Sequence, residues 1–454
     1  MTKKPNVIYV LVDDMGYGDF SAFNDDGPNT PALERMICQG VTLNNCYSAS
    51  PVCAPARAAI LTGRYPQRTG VIDTLEVRGY DRLKPSETTL ADVFKANGYK
   101  TALIGKWHLG AIDPIYHPNN RGFDYFFGFR GGWNDYYDYN IERNGERLSE
   151  KGEYLTDRFS REAVAYVNEH AAEPFFLHLT YNAPHFPLQA PDEVVQKYIR
   201  PDRTTAVAKL FAMIEIMDRG FGELLDALDD AGIADDTIVV FASDNGPDFG
   251  GEGDNCLKRF NCDLRGEKMM AFEGGIKVPA VVRWTGKLPG NTLCDAVIHG
   301  TDWLPTLLSM CEIKLPDVQI DGRNVYAQLS GEQDASRTLY WQWNRYKPEI
   351  KTNAAMRQGD MKLVHAPDWA YLDLPSWETD MDVEMKYHPE RYTEVTDREV
   401  PELPFIKTPD AMLFDLGVDP GEKNDLKDAM PKQTADMEAA LNAWFDEVES
   451  ERLS

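Results

Sequence analysis

Short apolar runs alternate with longer stretches of helical spacing along most of the chain. Five runs rich in β-branched residues predict buried strands at residues 7–12, 101–104, 175–180, 237–242 and 280–283. Helical patterns are found at residues 30–39, 55–62, 88–97, 156–170, 204–231 and 301–311. This alternation is typical of an α/β fold with a large, mostly parallel central sheet flanked by helices.

The pattern changes after about residue 330. The segments TLYWQWN, AAMRQGDMKLVH and AMLFDLGVDPGE resemble strands of a small antiparallel sheet, and an amphipathic helix is expected at about residues 432–448. We therefore expect a large α/β domain at residues 1–334 and a small C-terminal α+β subdomain at residues 335–454. Within the subdomain, residues 367–409 are rich in acidic, proline and aromatic residues, and we expect a long loop or insertion there.

The charge of the chain restricts its partners. The formal net charge is −26, and such a surface repels nucleic acid and anionic membranes. No apolar run reaches the roughly 18 residues of a membrane span, and the first apolar stretch is too short for the core of a signal peptide. The sequence as written predicts a cytoplasmic protein, or a periplasmic or secreted one if a signal peptide has been removed. It gives no signal for the oligomeric state.

Polar side chains follow four of the predicted strands at their carboxyl ends. Ligands of open α/β sheets bind beyond this edge. Each polar pair alone is more typical of a turn than of a site, but their shared position favours a functional site. The residues concerned are Asp13, Asp14, Lys106, His108, His185, Asp244 and Asn245.

Four of these residues carry hard oxygen ligands. They are Asp13, Asp14, Asp244 and Asn245, and no cysteine or histidine is adjacent to them in the sequence. Such a set suits Ca²⁺ or Mg²⁺ better than zinc or copper. The alternative is that these side chains cap helices.

One cysteine lies in a constrained turn. In the stretch SASPVCAPARAAILTGRYPQRTG, Cys53 stands between two prolines and Arg57 follows it by four residues. Pro55 is well placed in the first turn of a helix, so Cys53 is expected just ahead of a helix N-terminus, where an anion is favoured. An unmodified thiol there is a candidate low-pKa nucleophile.

The motif CAPAR, followed by LTGR, resembles the Cys-x-Pro-x-Arg and Leu-Thr-Gly-Arg signature of the type I, formylglycine-dependent sulfatases of the alkaline phosphatase superfamily. The segments VDDMGYGD, GYKTALIGKWHLG and LRGEKMMAFEGGIKVPAVVRW are similar to further motifs of this family. The resemblance covers nearly the whole chain. It implies hydrolysis of sulfate esters, of a sulfated carbohydrate or an aryl sulfate, after a formylglycine-generating enzyme has oxidised the cysteine. Residues 1–334 would then be the catalytic domain.

The resemblance also implies a metal site. Asp13, Asp14, Asp244 and Asn245, together with the modified side chain of Cys53, are expected to bind a calcium ion, with magnesium possible. The sulfate of the substrate would complete the coordination sphere.

Catalytic roles follow from the same resemblance. Arg57 and Lys106 are expected to hold the formylglycine oxygens, and His108 is expected to act as a base in hemiacetal breakdown. His185 and Lys268 are expected to contact the sulfate and the leaving oxygen, one of them as the general acid.

Three alternatives stay open. A phosphonate or phosphate ester hydrolase of the same superfamily would share the nucleophile. A non-catalytic protein that binds sulfated ligands would need only the pocket. A conventional thiol hydrolase would use Cys53 without modification.

Two segments bear on the substrate. The stretch GFRGGWNDYYDYN, residues 128–140, supplies the rings of Trp133, Tyr136, Tyr137 and Tyr139 for a sugar or aryl group, or else packs internally. Residues 367–409 contain eleven acidic and four basic residues. By resemblance this acidic segment lies at the mouth of the site, where it would favour small or terminal sulfate esters over densely sulfated polymers.

Overall fold

The fold is seen in a computed structural model that describes residues 4–148, 152–250, 255–402 and 410–454. In these ranges the strands form two sheets, one of ten strands and one of four. The strands of the large sheet are β1 (Asn6–Val12), β2 (Val41–Tyr47), β3 (Lys100–Lys106), β4 (Tyr125–Phe129), β5 (Ile141–Arg143), β6 (Glu146–Leu148), β7 (Phe175–Thr180), β8 (Thr237–Ser243), β9 (Ala280–Arg283) and β10 (Thr292–His299).

The large sheet is mixed but mostly parallel. Its order is β10-β2-β9-β8-β1-β7-β3-β4-β5-β6. Strands β8, β1, β7, β3 and β4 form a continuous parallel block, whereas β9 and β5 run antiparallel to their neighbours. All five predicted strands are present, and the expected α/β class is confirmed.

Helices cover both faces of this sheet. Among the described residues, the α-helices are α1 (Pro31–Gln39), α2 (Cys53–Thr62), α3 (Pro66–Thr69), α4 (Leu90–Ala96), α5 (Leu155–His170), α6 (Asp192–Val195), α7 (Thr205–Asp230), α8 (Glu273–Ile276), α9 (Trp303–Met310), α10 (Tyr326–Leu329), α11 (Ser376–Tyr387) and α12 (Pro431–Leu453). Alternate residues of β1 point to opposite faces. Ile8 and Val10 pack in the cluster that contains α1, α5 and α7, and Val7 and Leu11 in the cluster that contains α2, α4 and α9.

The small sheet is antiparallel, as expected. Its strands are β11 (Thr338–Gln342), β12 (Ala354–Gln358), β13 (Met361–His365) and β14 (Met412–Asp415), paired in that order. The closing helix α12 covers one face of it through Leu441 and Trp444. The other face packs on the large domain, where Trp341 lies in one cluster with Tyr47 and Phe272.

The sequence predicted a long loop or insertion for the acidic segment. The structure shows that the segment is not only a loop. Helix α11 occupies its centre, and residues 403–409 lie outside the described residues. The helix follows Pro375, and Met381 and Met385, one turn apart, pack in a cluster with Val77. This contact with the large domain stabilises a helix that the acidic composition of the segment did not predict. Among the described residues, every helix is too short or too polar to cross a membrane.

Candidate active site

Four adjacent strands bring the candidate side chains to one edge of the large sheet. In the order β8-β1-β7-β3 all four are parallel, so their carboxyl ends meet on the same side. The residues that lie at or after these ends are Asp13, Asp14, Lys106, His108, His185, Asp244 and Asn245. The structure therefore places these seven predicted residues in one region.

Asp13 is held by cations from two directions. Lys106 Nζ lies 2.6 Å from Asp13 Oδ2, and an Arg57 nitrogen lies 3.6 Å from Asp13 Oδ1. Arg57 also forms two hydrogen bonds, of 3.0 and 2.7 Å, to Asp244 Oδ2. Burial and the nearby Asp13 carboxylate raise the pKa of Asp244 to about 6.

Asp14 is held by an ammonium group and a side-chain amide. Its backbone is left-handed, with φ of 66°, a conformation that costs a non-glycine residue about 1–3 kcal/mol. Lys268 Nζ and Asn245 Nδ2 both donate to Asp14 at 2.7 Å. Burial alone would raise the pKa of Asp14, but Lys268 and His185 hold it below its usual range.

Cys53 is the first residue of α2. The sequence placed it just ahead of this helix, and the structure begins the helix at the cysteine itself. Its side chain is buried, and burial raises the pKa of the thiol although Lys106 and Lys268 oppose that shift. The unmodified thiol is thus protonated near neutral pH, which disfavours a conventional thiol hydrolase.

His108 presents one ring nitrogen without a partner. Its Nε2 lies 3.2 Å from the Thr74 carbonyl oxygen and so donates to it. Its Nδ1 is buried and has no hydrogen-bond partner among the described residues. Burial, and next the charge of Lys106, lower the pKa of His108 well below its ordinary value, so the ring is neutral and Nδ1 is free to accept a proton.

His185 is oriented by the loop after β7. Its Nδ1 donates to the Phe186 carbonyl oxygen at 2.8 Å, which leaves Nε2 facing Asp14 Oδ2 at 3.7 Å. The Tyr136 hydroxyl lies 2.9 Å from the His185 carbonyl oxygen and anchors the loop. Burial and the charge of Lys268 lower the pKa of His185 to about 4.

The donor set at this edge fits a hard cation. Asp13 Oδ1 and Asn245 Oδ1 are buried and have no hydrogen-bond partner among the described residues. Ligand atoms of Asp13, Asp14 and His185 lie within 4.8 Å of one another. Because the unpartnered atoms are carboxylate and amide oxygens, they suit Ca²⁺ or Mg²⁺.

Comparison with known proteins identifies the family. The sequence model of the Sulfatase family matches residues 5–313, and the model of N-sulphoglucosamine sulphohydrolase, C-terminal, matches residues 266–403. The chain belongs to the sulfatase family. It is an enzyme that hydrolyses sulfuric esters, and the expected resemblance is confirmed.

Two relatives and one solved structure illustrate the match. The sulfatase is 32% identical over 395 residues to the uncharacterized sulfatase YdeN of Escherichia coli (strain K12), covering 74% of this chain and 68% of the relative. It is 31% identical over 477 residues to N-acetylgalactosamine-6-sulfatase of Rattus norvegicus, covering 95% and 84%. The crystal structure of Ps i-CgsB in complex with k-i-k-neocarrahexaose superposes with a TM-score of 0.79 at 28% identity, covering 97% of this chain and 93% of that one.

The acidic segment of the sulfatase borders the site. Leu372 is buried in a cluster with Val52, which precedes Cys53, and Met269, which follows Lys268, packs against that cluster. Trp369, one turn before Leu372, is 60% exposed. The segment thus reaches the residues that flank Cys53 and Lys268.

The aromatic stretch 128–140 has a divided role. Tyr136 and Tyr139 are fully buried, so these two rings pack internally. Tyr137 is exposed, and Trp133 donates from Nε1 to Asp382 of α11 at 2.7 Å.

Sequence reasoning missed two buried residues beside His108. They are Glu76 and Lys386, which form an ion pair between the large domain and α11. The one available signal was the Gly131-Gly132 pair, since consecutive glycines often mark a close approach of backbone. A Cβ on Gly132 would lie 2.6 Å from His108 Cε1.

Proposed function

We propose that this sulfatase hydrolyses sulfate monoesters of a carbohydrate, with formylglycine made from Cys53 as the nucleophile and Ca²⁺ as the metal ion. The observation that carries the proposal is the position of Cys53. It is buried at the N-terminus of α2, within the field of Lys106 and Lys268, and its unmodified thiol is protonated. Such a site favours an anionic ligand but gives the thiol itself little reactivity.

The metal ligands would be Asp13, Asp14, Asp244 and Asn245, together with the modified residue 53. The unpartnered oxygens of Asp13 and Asn245 support this set. When bound, hydrated formylglycine would supply the attacking hydroxyl and Ca²⁺ a counter-charge for the sulfate.

Arg57 and Lys106 would hold the anionic oxygens at position 53. Both cations are fixed, because Arg57 is bonded to Asp244 and Lys106 to Asp13. Fixed cations stabilise developing charge without reorganising during the reaction. His108 would accept a proton at Nδ1, the ring nitrogen without a partner.

Lys268 and His185 would contact the sulfate and the leaving oxygen. The Asp14 carboxylate raises the pKa of Lys268 against the effect of burial, so the ammonium stays charged. His185 is neutral near pH 7, since its pKa lies at about 4. This difference favours Lys268 as the group that donates to the leaving oxygen, with His185 positioned by its bond to Phe186.

One relative, one structural neighbour and one exposed aromatic side chain support a sugar sulfate as the substrate. One relative is an N-acetylgalactosamine-6-sulfatase, and one structural neighbour was crystallised with k-i-k-neocarrahexaose. At the mouth of the site, exposed Trp369 offers an aromatic face on which a sugar ring could stack.

The test is release of inorganic sulfate from a panel of monosulfated sugars and aryl sulfates. The enzyme should be coexpressed with a formylglycine-generating enzyme, and its intact mass should then be about 18 Da lower than that of the Cys53 form. We expect turnover of at least one sugar sulfate. Faster hydrolysis of matched phosphate or phosphonate esters, or full activity of a protein whose mass shows unmodified Cys53, would overturn the proposal.

A further inference from the structure

A buried ion pair lies behind His108 and joins the acidic segment to the large domain. Lys386, near the end of α11, donates from Nζ to Glu76 Oε1, and the side chains are only 4% and 1% exposed. Lys386 Nζ also lies 3.1 Å from Asp382, one turn earlier in the helix. The same Glu76 oxygen lies 3.7 Å from His108 Nε2.

Glu76 also organises the backbone around the His108 ring. Its Oε1 accepts a hydrogen bond from the Gly132 N–H. Gly132 packs so closely on the ring that a Cβ there would lie 2.6 Å from His108 Cε1. On the other side, Thr74, two residues before Glu76, accepts the His108 Nε2–H. The ring is therefore confined between two backbone segments that Glu76 connects.

The charges that face His108 come from several parts of the chain. Lys106 lies at the end of β3, Arg57 in α2, Lys386 in α11, and all three cations disfavour an imidazolium. Glu76 opposes them, and Asp81, which accepts the Gly110 and Ala111 N–H groups, lies near Glu76. Lys386 thus offsets the negative charge of Glu76, the carboxylate closest to the His108 ring.

We propose that Glu76 and Lys386 are positioning residues for His108. Glu76 fixes the ring through Gly132, and the Lys386 ammonium cancels the Glu76 charge, so that the imidazole stays neutral and its Nδ1 can accept a proton. The inference rests on the proposed function, because that function gives His108 its task. It also assigns the acidic segment a direct part in building the active site, through one buried lysine.

Two single variants should shift the titration of His108 in opposite directions. Lys386→Met leaves the Glu76 carboxylate without its lysine, so the pKa of His108 rises and the acidic limb of the kcat/KM–pH profile moves up by about one pH unit or more. Glu76→Gln keeps an oxygen for Gly132 but leaves the lysine beside the ring, so the limb moves down. A purely structural role would lower activity without opposite shifts.

The double variant Lys386→Met/Glu76→Gln removes both charges and should restore the wild-type acidic limb. Arg391→Met is the matched control, because it removes an exposed cation from the same segment, where Arg391 pairs with Glu384 at 2.7 Å. Its profile should match that of the wild type. If Lys386→Met does not fold, two results decide the test. They are the downward shift of the acidic limb in Glu76→Gln and the wild-type profile of the double variant.

A second measurement does not need turnover. Histidine Cε1 NMR titrations in a Cys53→Ala background, with the His108 signal assigned by its loss in His108→Gln, should show the same opposite shifts. Coincident titrations in all variants, or shifts of the same sign in both single variants, would overturn this inference. An inactive wild-type enzyme whose His108 signal still shifts as expected would instead count against the proposed function.

Discussion

Lys106 Nζ lies 2.6 Å from Asp13 Oδ2, and both side chains are completely buried. The two residues lie at the ends of β3 and β1, which are separated in the sheet by β7. Each proposed carboxylate ligand has such a cationic partner: Asp13 has Lys106, Asp14 has Lys268 and Asp244 has Arg57. Mutual repulsion of the three acids is thus partly relieved by the chain itself.

Removal of the metal should abolish activity but lower the melting temperature only modestly. The chain's own cations offset part of the carboxylate charge, yet Asp13 Oδ1 and Asn245 Oδ1 accept no hydrogen bond from the described residues. We expect a loss of a few degrees on chelation, restored by Ca²⁺. Scanning fluorimetry and sulfate release should be followed together, with Asp13→Asn as a variant that no longer responds to calcium. Metal analysis that finds stoichiometric zinc bound by histidines would contradict the assignment.

Cys53→Ala should abolish turnover and leave the fold intact. Alanine is a good helix former and fits the first position of α2, where the cysteine is buried. Sulfate release and circular dichroism measure the two effects. A folded variant that keeps more than about a hundredth of the wild-type rate would show that position 53 does not supply the nucleophile.

Lys268→Ala should lower kcat/KM by about 100-fold or more, because a fixed cation would be lost from the sulfate. Lys258→Ala is a suitable control, since Lys258 is an exposed lysine ten residues earlier. It should behave as the wild type. Equal rates for Lys268→Ala and Lys258→Ala would remove Lys268 from the proposed mechanism.

The parts of the fold that sequence predicted are those with strong apolar patterns. Strands β1, β7 and β8 are buried along their whole length and read as continuous apolar runs. Strand β2 was missed because Asn44 and Asn45 interrupt it, and these side chains bond to Asp295 of β10. Strands β5 and β6 have only three residues each, too few to show a period.

The positions of the candidate site residues were predictable where strand ends and local motifs mark them. Asp13, Asp14 and Asp244 follow strands that the apolar pattern reveals. Glu76 and Lys386 are 310 residues apart in the chain, and no periodicity links them. Their pairing depends on how α11 docks on the large domain, which is a tertiary property.

Glu422→Gln should flatten the loss of stability that accompanies rising pH. Lys362 is fully buried between Glu273 at 2.8 Å and Glu422 at 3.0 Å. Burial and the neighbouring Glu273 raise the pKa of Glu422 from 4.5 to about 7, although Lys362 opposes the shift. The folded state therefore binds this proton more tightly, so the contribution is fully present below pH 4.5 and is lost as the pH rises through about 7.

Melting temperatures at about pH 5 and about pH 8 test this, and the decrease should be smaller in Glu422→Gln by about 2 °C or more. Glu438→Gln is the control, because Glu438 is a partly exposed carboxylate paired with Lys351. A wild-type protein and a Glu422→Gln variant with equal pH dependence would show that Glu422 ionises normally in the folded state.

The acidic segment should make the sulfatase prefer monosulfated sugars over densely sulfated polymers. Some of its acids are neutralised by ion pairs, as Glu378 is by Arg78, but Asp373 and Asp380 are exposed. Asp373 follows Leu372, which packs against Val52 beside Cys53. A polyanion approaching this mouth meets a repulsive field that salt screens beyond about 10 Å at 0.1 M.

The kcat/KM for a long sulfated chain should therefore rise with salt, whereas that for a monosulfated sugar should change little. Asp373→Asn/Asp380→Asn should weaken the salt dependence for the polymer. If the polymer is the better substrate at low salt and slows as salt is added, attraction governs its approach and the segment has the opposite effect.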